Sequence, residues 1–259
     1  MNASKSASAY GAKPPLPPLA ISAWLRYDVV SRALGQLKPT TVLEIGCGQG
    51  SFGARVAAIA TYLGVEPDPI SYEVARSRIE PLGGTVINGT HEDVPAGRQF
   101  DVVCSFEVLE HLEDDAGALA AWASFVKPGG HLLMSVPGFP ARYGPMDENV
   151  GHFRRYSPDD LRERLTAAGL HCESITVYGW PVTYALEAVR NRIDAKRLNA
   201  AKERGATTEE LTAASGRTFQ PSKRSVGLAV QAATLPFRML QRAQPRRGTG
   251  LVALASRPA

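Results

Sequence analysis

The chain has 259 residues, 44% of them hydrophobic, and a formal net charge of +4. That length suits one α/β domain with an elaboration, and the apolar share is ample for a core. Three cysteines without a C-x-x-C pair exclude a disulfide framework and point to a reducing, cytoplasmic setting, and the absence of 18 uninterrupted apolar residues excludes a transmembrane helix.

Residues 1–20 are expected to be a disordered or polyproline tail, because Ser, Ala and Pro dominate and Pro14-Pro-Leu-Pro-Pro18 closes the run. No apolar run follows Lys5 and Lys13, so no secretory leader is expected. Residues 21–37 place Ile21, Leu25, Val29 and Leu34 near helical spacing. Trp24 and Tyr27 on that helix would either close over a ligand or pack in the core.

A short strand at 41–45 leads into a glycine-rich turn, and a helix is expected from about 50 to 60. Strand two at 62–65 ends in Glu66, followed by a helix at 70–79 and a strand at 85–88. Strand four, 101–106, is nearly all apolar, as suits a parallel strand covered on both faces. A helix over 116–126 should stop at the turn Lys127-Pro-Gly-Gly130, before a strand at 131–136. Ser157-Pro-Asp-Asp160 is a helix start, with serine as cap, proline at the first position and acids in the first turn. That helix ends at Gly169. Strands at 171–178 and 250–256 complete a doubly wound, mostly parallel α/β sheet.

The sharpest motif is Val42-Leu-Glu-Ile-Gly-Cys-Gly-Gln-Gly50. Glycines at 46, 48 and 50 permit positive φ and let backbone touch a ligand. Glu44 puts a negative charge at the strand end, which suits a cationic group. Gly48-Gln-Gly-Ser-Phe-Gly53 also fits the dinucleotide fingerprint, so a NAD(P)-linked oxidoreductase is the rival reading.

The order of strands, glycine turn, acids and the KPGG turn resembles the class I S-adenosylmethionine (SAM)-dependent methyltransferases over roughly residues 40–180, with the last strand at 250–256. The resemblance implies a Rossmann-like sheet of seven strands with the final one antiparallel. It implies that Glu44, Gly46, Cys47, Gly48 and Gly50 face the amino-acid part of SAM. Glu66, with Pro67 beside it, would accept both ribose hydroxyls. Glu92, or Asp93, would flank adenine, with His91 either stacking on the ring or lying on the surface. Phe106 completes the cofactor set. Cys47 reads as a small space-filling residue rather than a nucleophile.

Glu107-Val-Leu-Glu110-His111 is the second motif. On a helical turn Glu107, Glu110 and His111 would share one face, and His152 is a candidate fourth ligand. Carboxylates favour Mg²⁺ and imidazoles shift the preference toward Mn²⁺, Fe²⁺ or Zn²⁺. The set is similar to metal-assisted O-methyltransferases, including those of ubiquinone biosynthesis and of small-RNA 3′-end methylation. Without a metal, Glu107 would position the cofactor and His111 or His152 would act as base or be structural. Arg154, Arg155 and Tyr156 would bind an anionic or sugar-like acceptor or simply be exposed.

Residues 181–247 form a basic helical insertion or cap, with 13 Lys/Arg against 5 Asp/Glu. Residues 199–222 are polar and expected to be mobile. Such helices cap a substrate, lie on an anionic membrane surface or bind phosphate. Sparse aromatics argue against nucleic acid. The expected domains are therefore a tail (1–20), a SAM-binding core (21–180), the insertion (181–247) and a last strand (248–259). The expected function is O-methylation of a small-molecule, sugar or lipid-linked acceptor, with Mg²⁺ or Mn²⁺ as a candidate aid. The expected location is cytoplasmic, with peripheral contact at the inner membrane surface. A non-enzymatic SAM-binding adaptor is a third reading.

Overall fold

A computed structural model describes residues 15–203 and 224–259 of the chain. Seven strands form one sheet in the order β3-β2-β1-β4-β5-β7-β6. They are β1 (Thr41–Ile45), β2 (Thr61–Glu66), β3 (Thr85–Asn88), β4 (Phe100–Phe106), β5 (Val126–Pro137), β6 (His171–Gly179) and β7 (Gly248–Ser256). β7 runs antiparallel between β5 and β6, and the other neighbouring pairs are parallel.

Side chains of a strand alternate between faces, so each strand feeds two cores. On one face Leu43, Val103 and Met134 meet Leu119 and Trp122 of α4 (Asp115–Ser124) and Leu161 of α6 (Pro158–Ala167). On the other face Val42, Cys104 and Leu133 meet α1 (Ile21–Leu37), α2 (Gly53–Ala57) and α3 (Pro69–Ile79). Residue 44 therefore points toward α1–α3, and this is the face on which Glu44 lies.

Three local expectations are corrected. The helix expected over 50–60 shrinks to five residues, because Gly46, Gly48 and Gly50 all take positive φ and keep the chain in a turn until Gly53. Lys127-Pro-Gly-Gly130 lies within β5 rather than before it: Gly129 at φ 73 makes an irregularity, while its N–H donates to the Arg257 carbonyl and strand pairing continues. The segment after β5 also holds a helix that periodicity did not reveal, α5 (Pro145–Val150). Ser157 caps α6 as its sequence predicts, with its hydroxyl accepting from the Asp160 N–H at 3.1 Å.

Two long helices follow β6, α7 (Val182–Glu203) and α8 (Arg224–Ala243). α7 packs on α5, and α8 lies along α1. The expected mobility of 199–222 falls largely outside the described residues, as do residues 1–14 of the expected tail. Residues 15–20 run against the body: Leu19 is buried, and Pro18 touches α8 at Gly227. No helix among the described residues is long and apolar enough to cross a membrane.

Candidate active site

At the C-terminal end of β1 the glycine turn forms one wall of a cavity of about 270 Å³. Arg26 and Tyr27 of α1, Glu44, Gly48, Phe52 and Phe106 are among its lining residues. A Cβ on Gly46 would strike Val108 at 2.5 Å and one on Gly50 would strike Ala75 at 2.9 Å, so packing alone forbids larger residues there. Gly48 differs. A Cβ there would meet nothing within 4 Å, yet its φ is 54°. Its bare backbone borders open space, as a close ligand contact requires.

Glu44 is buried and accepts a hydrogen bond from Tyr62 Oη. Burial pushes its carboxyl up to about 8, against the lowering effects of Tyr62 and Arg26. Such a carboxyl is poised to ionise when a cationic group enters the cavity. Glu66 ends β2 with one oxygen accepting from the Gly48 N–H at 2.7 Å and the other from the Asp68 N–H at 3.1 Å. This arrangement argues against a pyrophosphate. The backbone donor a phosphate would need already serves a carboxylate, and a five-residue helix contributes little dipole.

Cys47 is buried, and its thiol is pushed well above its ordinary value by burial and by Glu44 and Glu66, which suits a space-filler. Pro67 is exposed, and its carbonyl accepts from Asn88. In the turn after β3, Asp93 caps Thr90 at 2.8 Å, while Glu92 is exposed. Of the two acids only Glu92 is therefore spared a structural task by its geometry. Tyr27 lines the cavity, but Trp24 does not: it is buried between the guanidinium groups of Arg55 and Arg238. Of the two aromatics considered as a lid, one is core.

Beyond β4 the expected helical face does not form. Glu107 takes φ 57, and only a single 3₁₀ turn, Leu109–His111, follows. The reversal turns Glu107 away from its neighbours in the motif. Its carboxylate accepts from Ser135 Oγ at 2.7 Å and Tyr178 Oη at 3.2 Å, and it pairs with Arg26 at 3.3 Å. The residues that do converge are Glu110, His111 and His152, whose ligand atoms all lie within 4.8 Å of one another. Glu107 is outside that group.

This cluster is chemically unfinished. Glu110 is fully buried, and neither of its oxygens has a hydrogen-bond partner. His111 Nδ1 is also buried without one. Burial, then the neighbouring His152, lowers the His111 imidazole to about 4, so its ring is neutral. His152 Nδ1 lies 2.8 Å from Asp147 Oδ1. His152 Nε2, on the other side of the ring, lies 3.8 Å from Glu110 Oε1. Burial alone would raise the Asp147 carboxyl, but hydrogen bonds from His152 and Arg155 outweigh it and hold it below the usual range. Arg155 donates to both Asp147 oxygens, at 2.8 and 2.7 Å, and to Glu187 of α7 at 3.2 Å. Two imidazoles and a carboxylate, one imidazole braced by a second carboxylate, form a donor set that fits a divalent cation.

Sequence reasoning missed Asp147, which bonds His152 directly from five positions away, and Glu187, whose tie through Arg155 is long-range. It also offered Arg154, Arg155 and Tyr156 to an acceptor. The structure commits all three elsewhere: Arg155 to Asp147 and Glu187, Arg154 and Tyr156 to the buried Asp115. Buried charges need such partners.

A family profile described as a methyltransferase domain matches residues 22–175. Among curated relatives, a ubiquinone biosynthesis O-methyltransferase of Alkalilimnicola ehrlichii is 34% identical over 119 residues, 43% of this chain and 47% of that one. The protein of the same description from Thiobacillus denitrificans is 31% identical over 168 residues, 57% of this chain and 72% of that one. The match to the first of these spans about half the relative's length. A solved structure of a putative methyltransferase from Bacillus halodurans shares the fold with a TM-score of 0.55 at 16% identity, covering 88% of this chain and 100% of that one.

Proposed function

Since the chain belongs to the methyltransferase-domain family, we propose that it transfers the methyl group of SAM to a hydroxyl oxygen of a small-molecule, sugar or lipid-linked acceptor. The observation that carries the oxygen reading is the Glu110 carboxyl group, buried with both oxygens unpartnered beside the His111 and His152 imidazoles. The two relatives described above bear O-methyltransferase names, which supports the same choice.

SAM would supply an electrophilic methyl on a sulfonium and leave as the neutral thioether, and a bound divalent cation would lower the pKa of an acceptor hydroxyl so that its proton passes to solvent. The chain's residues do the rest. Glu44 and the bare backbone of Gly48 hold the cationic amino-acid end of the donor, and Glu66 takes the ribose. Glu92 accepts from the adenine amine. Phe106 and Phe52, ring centroids 4.5 Å apart, give that side of the cavity an apolar wall. Glu110, His111 and His152 would hold the cation, Asp147 orients the His152 ring, and Glu107 fixes Arg26 and Tyr178. A lone His111 base is disfavoured physically: an imidazole held near 4 takes a proton from an alcohol poorly. Two nitrogens and one carboxylate favour Mn²⁺ over Mg²⁺.

The decisive experiment incubates the protein with methyl-labelled SAM, Mn²⁺ and a panel of hydroxylated metabolites. Label in an ether product that EDTA abolishes and Mn²⁺ restores is the expected result. Transfer undiminished in excess EDTA removes the cation from the reading, and binding of NAD without SAM removes the methyl donor. Asp147→Asn is expected to lower Mn²⁺ affinity by about 10- to 100-fold in calorimetry, because the ring it orients is freed.

A further inference from the structure

α8 is mounted with its polar stripe inward. Its buried residues are Gly227, Thr234 and Gln241, seven positions apart and so on one side of the helix. A Cβ on Gly227 would meet Pro18 at 2.3 Å. The Gln241 side chain donates to the Leu25 carbonyl at 2.9 Å and accepts from the Gly179 N–H at 3.0 Å. Arg242 pairs with Asp28 on the same side. A surface helix ordinarily turns its apolar side to the core. Here the apolar side is left outside: Leu228 is 59% exposed, Leu235 50% and Met239 61% along one edge of the outer face, with Val226, Phe237 and Leu240 exposed along the other.

The charge carried by α8 and the turn after it is of one sign: residues 224–247 contain no Asp or Glu and five Arg. Arg246 and Arg247, just past the helix, are exposed. A second copy of the chain on this face would set cations against cations. An anionic bilayer satisfies both features at once, taking the apolar side chains among acyl groups and the guanidinium groups among headgroup phosphates. We propose that α8 docks the protein on an anionic lipid surface, lying in the plane of the interface. A 20-residue helix offers about 30 Å of contact length. α8 rests on α1, and the start of α1 lines the donor cavity, so docking sets the membrane beside that cavity's outer wall. The proposal goes beyond the methyl-transfer reading and does not depend on it.

Flotation of the full chain tests it, with vesicles of phosphatidylcholine alone and of phosphatidylcholine mixed with phosphatidylglycerol. The chain is expected to float with the mixed vesicles and at least about tenfold less with the neutral ones. The double variant Leu228→Glu/Met239→Glu is expected to lose at least about tenfold of that recovery with its melting temperature unchanged, since both side chains are exposed. Arg246→Glu/Arg247→Glu should weaken recovery in the same direction. The proposal is overturned if the parent does not float, or if the double variant floats equally well. It is also overturned if light scattering shows a dimer that the double variant converts to monomer, which would assign the face to a second copy. Methyl transfer to a soluble acceptor is measured separately, so failure of either reading is distinguishable.

Discussion

Glu110→Met is expected to raise the melting temperature of the cation-free protein while eliminating Mn²⁺ binding. A buried carboxyl with neither oxygen partnered costs about 1–3 kcal/mol, and burial, then the neighbouring Glu107, pushes it well above its ordinary range. Methionine is close in volume and needs no partner, so its substitution recovers most of that cost. In a chain of this size the gain corresponds to a rise of about 2–4 °C per kcal/mol. Calorimetric titration with Mn²⁺ and a thermal melt on the same sample check both halves. If the variant melts lower and still binds Mn²⁺, Glu110 is a structural residue. Opposed signs on stability and binding distinguish a group kept for chemistry from one kept for packing.

Glu44→Gln is expected to weaken SAM binding by about 10- to 150-fold, the worth of a charge-assisted hydrogen bond in a buried setting. The wild-type protein should also release close to one proton on binding SAM near pH 7. Its Glu44 carboxyl titrates at about 8 in the free protein and must ionise to meet an ammonium. Calorimetry in two buffers of different ionisation enthalpy reads that proton, and Glu44→Gln should abolish it. The sign for stability follows from the same shift. The unfolded chain releases this proton near 4.5, whereas the folded chain keeps it until about 8. Between those values the folded state binds more protons, so the free protein loses stability as pH rises through this window. SAM should offset that loss. A pH-independent affinity between 6 and 8 would exclude Glu44 as the partner of the ammonium.

The sheet was readable because its determinants are local. Short apolar runs, the acid Glu44 just ahead of the glycine turn and Glu66 closing β2 each carry their own signal. Ser157-Pro158 marked α6 for the same reason. The KPGG stretch misled because proline and paired glycines ordinarily end an element, while here the Gly129 N–H is held by Arg257 across the sheet. The E-x-x-E-H motif was half legible. Its residues do lie beside a candidate cation site, but a left-handed φ at Glu107 sent that carboxylate to Arg26. No spacing rule contains such a reversal. The tie from Glu187 through Arg155 and Asp147 to His152 joins residues up to 40 positions apart, which no sequence window reports. For α8, amphipathicity was plain in the sequence, but which side turns inward depended on Asp28 and Leu25, more than 200 positions away.

The pairing of α1 with α8 bears on the order of assembly. The cavity beside the glycine turn takes one wall from the first described helix, and Gln241 and Arg242, spaced 216 and 214 positions from their partners, hold that helix down. Contacts so distant carry a large loop-closure entropy and form late. During vectorial synthesis the sheet centre can condense while α1 still lacks its clamp. The cavity beside the glycine turn is therefore expected to close only once the segment carrying Gln241 and Arg242 has been made.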